Sequence, residues 1–85
     1  MCMSVAELRT ELTSLAAQLP VSPLSTARRS TEDARASLAS AWRGSDHRSA
    51  QAAVTAASAA TERLARIIAA LEQAAEEIAA YNECL

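Results

Sequence analysis

Residues 47–85 contain no glycine and no proline, and fourteen of these 39 residues are alanine. Nothing in that stretch stops a helix once it has begun. Alanine loses no side-chain entropy on becoming helical, so it favours one. At ~1.5 Å per residue such a helix is roughly 55 Å long, well beyond the width of a small domain. The rest of the chain must therefore lie along it. With only 85 residues in all, 22 of them alanine, and few β-branched or aromatic side chains, the class is all-α and the domain count is one.

Apolar spacing gives the long helix a face. Val54, Ala57, Thr61, Leu64, Ile68, Leu71, Ala75 and Ile78 recur at alternating steps of three and four, and Ala60, Ile67, Ala74 and Tyr81 widen that stripe. The N-terminal half repeats the pattern in two pieces. Ser4-Val5-Ala6-Glu7 reads as a capping box, followed by a seam of Val5, Leu8, Leu12, Leu15 and Leu19. Pro20 ends that helix, and Ser22 with Pro23 starts the next. Leu24, Ala27, Thr31, Ala34, Leu38 and Ala41 form its seam, with Thr31 the weak point. Arg28, Arg29, Glu32, Asp33 and Arg35 fall off this seam, where i, i+4 pairing suits a wet face.

Trp42-Arg43-Gly44 closes the second segment. Gly44, the only glycine, sits where a helix commonly ends in a left-handed residue, and Ser45 or Asp46 is placed to cap the third helix. The expected helices cover about 5–19, 23–43 and 46–84. The first two together match the third in length and neither does alone. The pattern thus favours an antiparallel helical hairpin with a proline-broken first arm over the alternative, a three-helix bundle in which the 20–23 break is a full reversal. Cys2 and Cys84 have their midpoint at residue 43, so a straight hairpin would bring them together as a candidate disulfide. Met3 offers an alternative start that would remove Cys2.

Charge and motifs narrow the function. Eight arginines against ten acids give a net charge of −2, which lacks the basic face that nucleic acid requires. The longest uncharged stretch near the middle, 49–61, is 13 residues of mostly alanine, short of the ~20 needed to span a membrane. An apolar stripe beside arginines can lie in a lipid interface, but this one is mostly alanine and the last helix ends acidic. No basic and apolar segment precedes Glu7, so the expected location is cytoplasmic, or secreted without a cleaved signal peptide. His47 is the only histidine and reads as a solvated first-turn residue. No metal set, cofactor loop or catalytic constellation emerges, since Asp46 and His47 point about 100° apart on a helix and a hairpin has no pocket. The chain reads as a non-enzyme. A two-helix hairpin gives each helix a single neighbour, so such a chain should want a partner.

Trp42 at an exposed turn suits either closure of the seam or a contact with a partner. Trp42-Arg43-Gly44 at the midpoint, between arms of about 40 residues, resembles the small Trp-x-Gly helical-hairpin proteins of type VII (ESX) secretion. It is also similar to a related group of small actinobacterial helical proteins whose Gly-Ser turn is followed by a histidine. The resemblance implies a four-helix bundle of two hairpins, as homodimer or heterodimer, and export without a cleaved signal or service to a larger, toxin-like exported partner. The family's export signal places an acid four residues after a tyrosine near the C-terminus. Here that place, counted from Tyr81, is held by Leu85, and Glu83 comes two residues after the tyrosine. The alternative is a cytoplasmic helical adaptor unrelated to secretion, binding another helix through the seam of Leu8, Leu12, Leu15, Leu64, Ile68, Leu71 and Ile78.

Charge along the rod is uneven. Residues 21–66 are net +3, whereas 1–20 and 67–85 together are net −5. Two copies packed turn to open end would set unlike charges together, so self-association is expected to be antiparallel.

Overall fold

In the computed structural model, which describes residues 4–44 and 46–85, three helices make up the chain: α1 (Val5–Ala17), α2 (Val21–Ala41) and α3 (Arg48–Glu83). The described residues contain no strand. α1 and α2 both pack on α3 and not on each other, so the proline break is a bend in one arm rather than a reversal. The result is an extended hairpin measuring 64 × 20 × 14 Å.

Helix ends obey local chemistry. The Ser4 hydroxyl accepts the Glu7 N–H at 3.1 Å, the forward bond of the expected capping box. α1 stops at Ala17, two residues short of expectation, because a residue before proline is pushed out of the helical region. α2 starts two residues early, with Pro20 at the N-cap. Pro23 is then its third residue, and a missing N–H there costs nothing because the first-turn donors have no intrahelical partner. α2 also ends early, at Ala41, with Trp42 as its C-cap. Gly44 has φ +80°, the only positive φ among the described residues. A Cβ there would meet nothing within 4 Å, so the need for glycine is conformational and not steric. Gly44→Ala is expected to lower stability by about 1–2 kcal/mol, read as a lower melting temperature with unchanged helix content.

The cap of α3 corrects the sequence reading. Neither Asp46 as the cap nor a first-turn role for His47 is seen. His47 is itself the N-cap, with φ −67° and ψ 125°, and its Nδ1 accepts the Ser49 N–H at 3.2 Å. An imidazole nitrogen can do what a serine oxygen does at this position. Ser45, the other expected cap, and Cys2, with it the candidate disulfide, lie outside the described residues. Cys84 is exposed at the C-cap of α3.

The seam of α3 is as the spacing indicates, except that Ile67 and Tyr81, expected to widen it, are exposed because they sit about 80° round the helix from its centre. Ala50 and Ile68 are buried, and Val54, Ala57, Thr61, Leu64, Leu71, Ala75 and Ile78 are half-buried. Asn82 and Leu85 extend the same steps to the end of the chain. Thr61 satisfies its hydroxyl on the Ala57 carbonyl at 3.0 Å, and Thr31 on the Ala27 carbonyl at 2.8 Å, so neither brings an unpaired polar group to the seam.

The seam of α2 is rolled from its expected position. Val21, Leu24, Thr31, Arg35 and Leu38 are half-buried, whereas Ala27, Ala34 and Ala41 are exposed. Val21, Arg28, Arg35 and Trp42 form one column at seven-residue spacing. Bringing the large residues at its two ends toward α3 carries the arginines with them, and their aliphatic stems can cover the small side chains of α3. Arg35 thus lies on the packed side, not the wet face. It pairs with Glu32 at i, i+3, at 2.7 Å. The Arg35 hydrogen bond holds the Glu32 carboxyl below its ordinary range, against an opposing push from desolvation, with the charges of Arg35 and then Arg28 adding attraction.

In α1, Leu8, Leu12 and Ala16 face α3, as does Leu19 in the bend that follows, while Leu15 is 50% exposed. Asn82 accounts for this roll. Its Nδ2 donates to the Arg9 carbonyl at 3.4 Å and to Thr13 Oγ1 at 3.2 Å, drawing that side of α1 inward and turning Leu15 out. Val5, one turn before Arg9, lies where α3 is ending and is also exposed.

Candidate interaction surface

An antiparallel helix pair has two flanks beside its seam, and here they differ. On one flank Arg9, Arg28 and Trp42 border shallow depressions shared with Glu83, Glu72 and Gln51 of α3. Arg29, Glu32, Glu62 and Glu76 add charge to that side. Because successive helical residues turn by ~100°, the other flank is a different set of columns. On α3 it is Ala53, Ala60, Ile67, Ala74 and Tyr81, edged by Ala56, Arg63, Ala70 and Glu77. On α2 it is Ala27, Ala34 and Ala41, edged by Ser30 and Ser37. On α1 it holds Leu15, with Glu11 at its edge.

This second flank, called smooth because small side chains line most of it, is nearly uncharged. Arg63 and Glu77 are the only ionised groups it carries on α2 and α3. Three of the five large apolar residues left exposed lie on it: Leu15, Ile67 (48%) and Tyr81 (56%). All three are in the half of the rod away from the turn, and the half nearer the turn offers alanine. The flank therefore grades from bulky to small along its length.

Of the residues assigned to an interface from the sequence, Leu8, Leu12, Leu64, Ile68, Leu71 and Ile78 face the hairpin's own seam. They hold the arms together and present little surface outward. Only Leu15 is turned out. Trp42 is 40% exposed and lines a depression with Ala39, Ala50 and Val54, so it closes the turn end of the seam while showing part of its ring. Arg43 and Gly44 are exposed. Asn82 is absent from the expected set, although it continues the spacing four residues after Ile78. Its Oδ1 is buried with no partner among the described residues.

No grouping of three or more His, Cys, Asp or Glu able to hold a metal is found among the described residues. Among the same residues, no helix is long and apolar enough to cross a membrane. Comparison with models of protein families, with curated proteins and with solved structures finds no match.

Proposed function

We propose that this chain is a non-enzymatic interaction module whose smooth flank docks on a second helical hairpin to complete a four-helix bundle. The surface area carries this reading. The chain exposes 6336 Å². A compact monomer of 8.9 kDa is expected to expose about 4,800 Å². The excess, roughly 1,500 Å², is more than the ~800 Å² each partner contributes to a standard interface. Only two of the described residues are buried hydrophobics, and no large side chain among them is fully so. Packing on another hairpin would supply the second layer that this one lacks.

Trp42-Arg43-Gly44 at the turn favours a setting in type VII secretion, in which the bundle escorts or accompanies an exported partner. Leu85, in place of the acid that family's export signal carries, favours the second reading, an adaptor that remains in the cytoplasm. Molecular mass in solution tests the docking role, measured by light scattering for the chain alone and with helical proteins encoded by neighbouring genes. A dimer or a one-to-one complex is expected. A well-folded monomer at high micromolar concentration that binds none of those proteins would overturn the proposal. Adjacency to a type VII ATPase gene or a Trp-x-Gly toxin gene separates the two settings.

A further inference from the structure

Resting on that docking role, we infer that the occupant of the smooth flank is a second copy of this chain, antiparallel, with α3 laid on α3 and the two-fold axis at Ala70. Two independent gradients support this. The first is size. Leu15, Ile67 and Tyr81 all lie in the open half of the flank, and alanines line the half nearer the turn. Facing copies that point opposite ways about Ala70 overlap over residues 57–83 of α3, and there they set Tyr81 beside the partner's Ala60 and Ile67 beside the partner's Ala74. Copies that point the same way set bulk against bulk and leave a gap at the turn, which close packing disfavours.

The second gradient is charge. The turn half is net +3 and the open half net −5. On the α3 part of the flank the charges reduce to Arg63 toward the turn and Glu77 toward the open end, with Glu11 of α1 at the flank's edge. Smooth flank to smooth flank, an antiparallel two-fold places α3 against α3, whereas a parallel one places α3 against the partner's broken arm. Ala70 stands midway between Arg63 and Glu77. With the axis there, Arg63 meets the partner's Glu77, and the partner's Arg63 meets Glu77, at the two edges of a small-residue centre. Glu77 is already steadied in the monomer by Gln73, whose Nε2 donates to its Oε1 at 3.2 Å. Arg63 and Glu77 are both exposed, so reversing either leaves the hairpin intact.

Sedimentation equilibrium at low salt reads the pairing. Arg63→Glu and Glu77→Arg alone each turn two attractions into two repulsions, and each is expected to weaken self-association about tenfold. The double variant, and an equimolar mixture of the two single variants, restore opposite charges at both edges and should associate nearly as the parent does. Two single variants as tight as the parent, or a double variant as weak as the singles, would overturn this arrangement. If a flank substitution such as Ala34→Glu still dissociates the protein in that case, the docking face stands and only the register falls. A parent chain that is monomeric alone but binds a different hairpin overturns self-pairing and leaves the docking role intact.

Discussion

Ile68→Ala is expected to cost roughly 3 kcal/mol and to leave the hairpin largely unfolded near room temperature, whereas Ile67→Ala, one residue earlier, should change the stability of the monomer by about a few tenths of a kcal/mol at most. The two side chains differ by one step of ~100° around the same helix. Ile68 is 8% exposed and is the only large apolar side chain buried among the described residues. Its removal leaves a void midway along the rod, between α3 and α2, that small neighbours cannot fill. Ile67 is 48% exposed, and alanine is the better helix former at an exposed site. Its loss should appear instead in self-association, because it stands on the smooth flank. Thermal melts followed by circular dichroism, at low and high protein concentration, separate the two effects. Equal losses of stability would show that α3 is not oriented on its neighbours as described.

The buried place of Ile68 is legible in the sequence, because the three-four spacing of α3 and the structure agree on its seam, whereas Ile67 and Tyr81, which the pattern counts as widening that seam, are exposed. The large apolar residues along the seam of α3 are separated by alanine and charge, so their three-four spacing admits one seam. α2 has no such signal. Leu24 and Leu38 are its only leucines, and both the alanine column and the arginine column fit between them. Ranking by apolarity alone selects Ala27, Ala34 and Ala41. The deciding weight comes from Val21 and Trp42 at the ends of the other column, and from the length of arginine, which covers small residues while keeping its charge wet. α1 misleads for a related reason. Four leucines point to a seam through Leu15, but a polar contact, Asn82 to Arg9 and Thr13, fixes the roll, and apolar periodicity is blind to it. The smooth flank is the by-product of both rolls. It includes Leu15, Ala27, Ala34 and Ala41, which the pattern assigns to the inside of the hairpin, and this is why it is apolar and open at once.

That origin makes the flank testable with a single carboxylate. Ala34→Glu is expected to weaken association at least about a hundredfold, on the scale of the several kcal/mol that burying an unpaired carboxylate costs. Ala36→Glu, two residues on, points away from the flank and should leave association within about twofold of the parent. Both positions are exposed in the lone hairpin, so both variants should keep its helix content and its melting temperature at low concentration, apart from the small propensity cost of replacing alanine. At high concentration only the Ala34 variant should melt lower than the parent, because association stabilises the folded chain by mass action. If both variants associate normally, a different surface makes the bundle. If both fail equally, net charge rather than the smooth flank governs association. Only the split between two alanines on the same helix, one facing the flank and one turned from it, assigns the interface to the surface that the rolls of α1 and α2 expose.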